Sequence, residues 1–256
     1  MVFDINSLND EQKFALFYGI LLGDGCLSHC STKRKSGKMR ELFIVCITGS
    51  AQDDREFFEK ILIPLLKSLD RTSVSIKNRK NCGAIEINFP DKKLFDRIRS
   101  YGFPIGKKGP NISIPQIFYD KNLVRYTVAG FMATDGSFVL TKNPNKYYPR
   151  IEGTSISKQL LKQICDFMTL SGMKGELYEA KRIRDSSCFS RINKPYRFQF
   201  NGHENLTIFV DKIGFVNPKY QDKFQQFLEY CSKYDGAIKN IPLKQQKFFR
   251  INTLDG

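Results

Sequence analysis

The sequence predicts an α+β protein of two pseudo-symmetric αββαββα repeats, with one apolar helix from each repeat packed at the centre. Three observations lead there. First, two similar apolar runs each end in Asp-Gly: Phe17-Tyr18-Gly19-Ile20-Leu21-Leu22-Gly23-Asp24-Gly25 and Val128-Ala129-Gly130-Phe131-Met132-Ala133-Thr134-Asp135-Gly136. Second, landmarks recur behind them. Tyr101-Gly102-Phe103 and Lys107 follow Asp24 at almost the distances at which Ile213-Gly214-Phe215 and Lys219 follow Asp135. Third, the stretch between landmarks alternates helical and strand periodicity in both halves. With 256 residues and 41% hydrophobic content, the chain is long enough to bury real cores.

In the first half, a helix is expected over 11–23, with Asn6, Ser7, Asn9 and Asp10 as candidate N-caps. Residues 27–31 and 42–48 read as a hairpin around a long turn, 32–40. Residues 53–69 form an amphipathic helix with Phe57, Ile61, Leu65 and Leu66 on one side, and Pro64 should kink or interrupt it. Strands follow at 73–77 and 84–89, where Ile85, Ile87 and Phe89 alternate with Glu86 and Asn88. A helix over 92–101 closes the repeat. The joint falls within 110–121, dividing the chain into 1–116 and 117–256. The second half repeats the pattern: strands at 137–140 and 148–151, a helix over 158–171, strands at 176–184 and 196–201, and a helix over 206–214. A terminal helix over 219–234 carries Phe224, Phe227 and Leu228 as its apolar stripe.

Within the motif helices, small residues sit four apart: Gly19 and Gly23, Gly130 and Thr134, Ala129 and Ala133. Such pairs share a helix face and let two backbones approach closely. That would bring Asp24 and Asp135 together. The net charge of +15 and sequence pI near 9.5 call for a polyanionic partner, nucleic acid first. No apolar stretch reaches the roughly 18 residues of a membrane span, so no membrane partner is expected. The seven cysteines are scattered without a Cys-x-x-Cys pair, and His29 and His203 lie far apart, which argues against zinc. Reduced thiols of an intracellular protein are the expectation.

Basic residues crowd four hairpins. Lys33, Arg34, Lys35, Lys38 and Arg40 lie on the first, and Lys77, Arg79 and Lys80 on the second. Lys142, Lys146 and Arg150 lie on the third, and Lys181, Arg182, Arg184, Arg191, Lys194 and Arg197 on the fourth. Antiparallel ribbons fit the major groove, where Arg and Lys read guanine, while loop cations hold phosphates.

The duplicated apolar motif, its Asp-Gly ends and the matched downstream lysines resemble the LAGLIDADG homing endonucleases of the single-chain, two-repeat kind. The resemblance covers nearly the whole sequence. It implies a DNA-binding β-sheet saddle, with Asp24 and Asp135 as catalytic metal ligands joined by the backbone carbonyls of Gly23 and Thr134. Lys107 and Lys219 match the family's active-site basic residue in placement, with Lys108 an adjacent candidate. The implied activity is site-specific hydrolysis of both strands of a long asymmetric DNA duplex, leaving short 3′ overhangs. Hard oxygen ligands suit Mg²⁺, with Mn²⁺ or Ca²⁺ as substitutes. A monomer is expected, since both half-sites are covalently joined. Alternatives on the same scaffold are an intron maturase that binds intron RNA and a non-cleaving DNA-binding protein. The family's hosts suggest an organelle, mitochondrial or chloroplast, or a prokaryotic or archaeal cytoplasm.

Overall fold

The first motif helix begins where its cap dictates. Asn9 Oδ1 accepts from the Gln12 N–H at 2.9 Å, and the Asn9 N–H donates to Gln12 Oε1 at 3.1 Å. This reciprocal box starts α1 (Asp10–Asp24) and leaves Asp10 and Glu11 near its positive end. The computed structural model describes residues 4–69, 73–80, 82–143, 146–180 and 194–234. Every residue of α1 from Phe14 to Gly23 is buried. A helix apolar on all sides belongs at the centre of a fold, and α1 is there.

The strands β1 (Gly25–Lys33) and β2 (Met39–Ser50) form the first hairpin, with Gly25 opposite Ile47. Next come α2 (Arg55–Phe57), a π turn over Phe58–Leu62, and α3 (Ile63–Ser68). The expected single helix is therefore interrupted around Pro64. Proline has no N–H to give to the preceding turn, and the wider π turn absorbs the misfit. The edge strand β3 covers only Lys77–Asn78, not 73–77. Val74 and Ile76 still pack against the core, but outside the ladder. A short edge exposes few unpaired backbone groups. Then β4 (Ala84–Pro90) and α4 (Lys92–Ser100) complete the half.

The connection holds a helix the sequence reading left out, α5 (Gln116–Asp120). It plants Phe118 beside Phe14, Tyr18 and Tyr101, with ring centroids 5.2–6.4 Å apart. The second motif helix is α6 (Val124–Thr134), buried from Thr127 to Ala133. The second half continues with β5 (Gly136–Asn143), β6 (Lys146–Ser155), α7 (Lys158–Leu170), β7 (Gly175–Glu179), β8 (Tyr196–Asn201), α8 (His203–Lys212) and α9 (Pro218–Tyr234). The strand expected over 176–184 ends at Glu179, and residues 181–193 lie outside the described residues.

Two antiparallel sheets result, in the orders β1-β2-β4-β3 and β5-β6-β8-β7. The matching order confirms the repeat. Each sheet buries one face: Leu27, Val45, Ile47, Ile85 and Ile87 in the first, Phe138, Ile151, Phe198 and Phe200 in the second. Between them α1 and α6 cross at backbone contact. A methyl group on Gly19 would stand 2.0 Å from the Thr127 carbonyl oxygen, and one on Gly130 would stand 2.1 Å from that of Leu16. Only glycine fits at this crossing.

Candidate active site

The crossing delivers both aspartates to one place. Asp24 closes α1 and Asp135 caps α6, each followed by a glycine that opens a strand. The glycines do not serve as left-handed turns: Gly25 has φ −89°, and Gly136 is not among the positive-φ glycines. They are needed because the strand passes over the last helical turn. A methyl on Gly25 would lie 2.5 Å from Leu21 Cα, and one on Gly136 would lie 2.5 Å from Met132 Cα.

Burial and mutual repulsion shape the electrostatics. The Asp24 carboxyl is pushed up to about 7, chiefly by burial, then by the Asp135 charge, with Lys108 opposing. Burial raises Asp135 as well, again against Lys108. Burial thus disfavours the charged form of both carboxyls, and the Asp135 charge adds to this at Asp24, the kind of environment in which a bound cation is welcome.

Lys108 is the cation whose charge acts on both, and Lys107, the residue matched by spacing, is exposed on the same loop. The Lys108 Nζ donates to the carbonyls of Leu21 at 3.2 Å, Leu22 at 2.9 Å and Gly23. The loop is set by the backbone. The Gly106 N–H donates to the Leu27 carbonyl at 2.7 Å, and Gly106 and Gly109 turn with φ of 80° and 64°. Those left-handed turns on either side of Lys107 and Lys108 decide which lysine faces inward. Spacing counts residues and cannot see that twist. Burial lowers the Lys108 pKa, although Asp135 and Asp24 pull it up.

The second half differs. Lys219 Nζ pairs with Asp54 Oδ1 at 2.7 Å, joining the halves with side-chain exposures of 34% and 17%. Burial is the largest single influence and works against the Lys219 charge, but the Asp54 hydrogen bond together with the Tyr220, Asp54 and Asp53 charges outweighs it and the pKa rises. Asp54 precedes α2, yet its carboxylate makes no cap there and accepts from the Ser50 N–H at 2.9 Å. Asp54, which the sequence reading passed over, also raises Asp24. No sequence signal marks it, because its choice of partners over its own helix is visible only in three dimensions. Replacing Asp54 with Ala should strand the half-buried Lys219 and cost about 1–3 kcal/mol. Urea unfolding checks this, and adding Lys219→Met should recover most of the loss.

The outer sheet faces carry the basic residues. Lys33, Arg34, Lys35, Lys38 and Arg40 are exposed at the tip of the first hairpin, and Lys80 and Lys142 are exposed on theirs. Others are engaged on the sheet. Lys77 Nζ donates to Asn88 Oδ1 at 2.7 Å, and Arg79 meets Glu86 at 3.5 Å. Arg150 pairs with Glu152 at 2.9 Å, Lys194 with Glu179 at 2.9 Å, and Arg197 Nε donates to Thr154 Oγ1 at 3.3 Å. Lys146 begins β6, while Lys181, Arg182, Arg184 and Arg191 lie outside the described residues. No described helix is long and apolar enough to cross a membrane.

Residues 122–214 match the family model described as LAGLIDADG-like domain. Three solved structures share the whole architecture. The I-LtrWI LAGLIDADG homing endonuclease bound to target DNA aligns with TM-score 0.56 and 12% identity, covering 89% of this chain and 92% of that one. The meganuclease I-SmaMI bound to uncleavable DNA gives 0.54 and 13%, covering 94% and 98%. I-DmoI in complex with DNA and Ca gives 0.52 and 16%, covering 82% and 94%. The fold is the two-repeat LAGLIDADG fold.

Two proteins of Methanocaldococcus jannaschii also match this chain. "Probable translation initiation factor IF-2" is 27% identical over 93% of the chain, and an uncharacterized protein is 25% identical over 71%. The chain spans 18% and 62% of their lengths. Among the described residues, no three His, Cys, Asp or Glu side chains cluster into a cage for a metal ion. The centre where the two helices cross instead offers two carboxylates and the helix-end carbonyls, a hard oxygen set that fits Mg²⁺ or a similar ion when other ligands complete the shell. The Gly23 carbonyl lies in that set, but it accepts from Lys108. The Thr134 hydroxyl turns back to its own helix, donating to the Phe131 carbonyl at 3.1 Å.

Proposed function

We propose that this protein is a site-specific DNA endonuclease that hydrolyses both strands of a long asymmetric duplex, leaving short 3′ overhangs. One observation carries the reading: Asp24 and Asp135 converge with Lys108 where two crossing helices meet, between two sheets with basic outer faces. The three structures that share the fold were solved with DNA. Divalent cations, Mg²⁺ first, would supply activation of water and neutralisation of the phosphate. Asp24 and Asp135 would hold them. Lys108 places a positive charge where negative charge grows on the phosphate oxygens. The basic hairpins hold the duplex across the sheets, and the unlike hairpins of the two halves read unlike half-sites. A monomer suffices, because one chain supplies both aspartates.

The test is incubation of wild type, Asp24→Asn and Asp135→Asn with a library of duplex targets and Mg²⁺. Cleavage by wild type alone supports the reading. Binding without cleavage by wild type would leave a nucleic-acid-binding scaffold, and preferential binding of a folded intron RNA would move the function to RNA.

Affinity for any duplex should fall steeply with salt. Six to ten phosphate contacts predict a loss of about 10³–10⁵ between roughly 50 and 200 mM salt. Fluorescence anisotropy measures it, and a flat profile would contradict a phosphate-holding saddle.

A further inference from the structure

Lys108 breaks the twofold symmetry at the one place where symmetry matters most. Its ammonium is shared among the last-turn carbonyls of α1, donating to Leu21 at 3.2 Å, Leu22 at 2.9 Å and Gly23. A helix C-terminus gathers partial negative charge and unsatisfied carbonyls, so a cation is stable there. The same ammonium acts on both Asp24 and Asp135. It therefore draws on the oxygen atoms that suit a divalent ion.

At the matching end of α6, among the described residues, neutral groups take that place. Asn217 Nδ2 donates to the Ala133 carbonyl at 2.9 Å, in a fully buried position. Counted from the Gly-Phe landmarks, the counterpart of Lys108 is Tyr220, whose hydroxyl donates to the Gly136 carbonyl at 2.6 Å. Lys219, the counterpart of Lys107, is held by Asp54. One half ends in a charge, the other in a neutral amide and a phenol.

We propose that Lys108 is an internal counter-ion that a divalent cation must displace from the end of α1, so that the two halves take up metal unequally. The Asp135 half loads first. The Asp24 half loads only as the Lys108 ammonium withdraws from the Gly23 carbonyl. This rests on the nuclease reading, and it gives the Lys108 charge a second role, ordering the two strand cuts.

The test is a Mn²⁺ titration of the full chain without DNA, following free ion by electron paramagnetic resonance. Wild type should bind one ion about tenfold or more tightly than the next. A unit charge a few ångström from a divalent ion supplies about that factor even when well screened. Lys108→Met should tighten the weaker site by about tenfold and bring the two affinities together. Lys108→Arg, which keeps the charge, should retain the wild-type pattern. A purely structural role would weaken or scatter binding in Lys108→Met, not strengthen it. Lys108→Gln keeps a donor for the carbonyls and stands in if the methionine variant does not fold. Unchanged or weaker affinities in the uncharged variants overturn the proposal, as does a failure of all variants to bind Mn²⁺. The nuclease reading is judged separately. Wild-type cleavage of the duplex library with unshifted Mn²⁺ affinities sinks only the counter-ion, and shifted affinities without cleavage sink only the nuclease.

Discussion

Asp24→Asn is expected to lower double-strand cleavage by a factor of about a thousand or more while making the metal-free protein more stable at alkaline pH. The first effect follows from removing a charged ligand for cations that contribute several kcal/mol to the transition state. The second follows from the carboxyl's environment. Burial, then the Asp135 charge, pushes Asp24 up to about 7 in the folded protein. Its ordinary value, 3.8, applies in the unfolded chain, which therefore gives up the proton more readily. Stability from this group is complete below about pH 4 and is lost as pH rises through about 7. Thermal melts in chelator should show wild type weakening across that window. Asp24→Asn should weaken less there, since Asp135 remains raised by burial, and should gain up to a few kcal/mol over wild type near about pH 8 and nothing near about pH 4. Identical pH profiles for the two proteins would contradict a buried, repelled carboxyl. Asp135→Asn should cause a comparable loss of cleavage.

Most of this centre could be read in advance, and the parts that could not have specific causes. Asp24 and Asp135 were legible because duplication repeats them with their flanking glycines. The strand over 84–89 was legible because Ile85, Ile87 and Phe89 alternate with polar residues and are buried as that pattern requires. Lys108 was harder to place: the matched spacing pointed to Lys107, and the Gly106 and Gly109 turns decide orientation through backbone dihedrals. Asp54 was invisible because its role depends on Lys219, a residue from the other repeat that no local pattern connects to it. The α5 helix escaped because five residues between prolines and loops carry too little periodicity. Several hairpin cations were read as DNA contacts, yet Arg150 and Lys194 meet acidic neighbours on their own sheet. Composition marks a basic face without saying which of its charges are already spent.

Gly130→Ala is expected to destabilise the protein by about 3 kcal/mol or more, against the ordinary sign of that substitution. In an exposed helix, alanine would gain about 1 kcal/mol over glycine. Here the added carbon would stand 2.1 Å from the Leu16 carbonyl oxygen and 2.9 Å from the Ile20 nitrogen, both backbone atoms that cannot rotate away. Relief requires the helices to part, and overpacking of that kind costs a few kcal/mol. It would also spread the two aspartates, so cleavage should fall even at temperatures where the variant stays folded. Urea unfolding and a cleavage assay read the two consequences. Stability equal to wild type would mean that α1 and α6 do not meet at this glycine.

The complete burial of α1 bears on how the protein unfolds. Residues 14–23 have no solvent-facing side: they are covered partly by their own repeat and partly by α6. Neither repeat owns a finished interior. Withdrawing one would leave the other with a bare hydrocarbon rod, a surface that water does not tolerate. Two units that read as duplicates in sequence are thus one cooperative body in thermodynamics. Its calorimetric transition should be a single endotherm, with the unfolding enthalpy of both repeats taken up together.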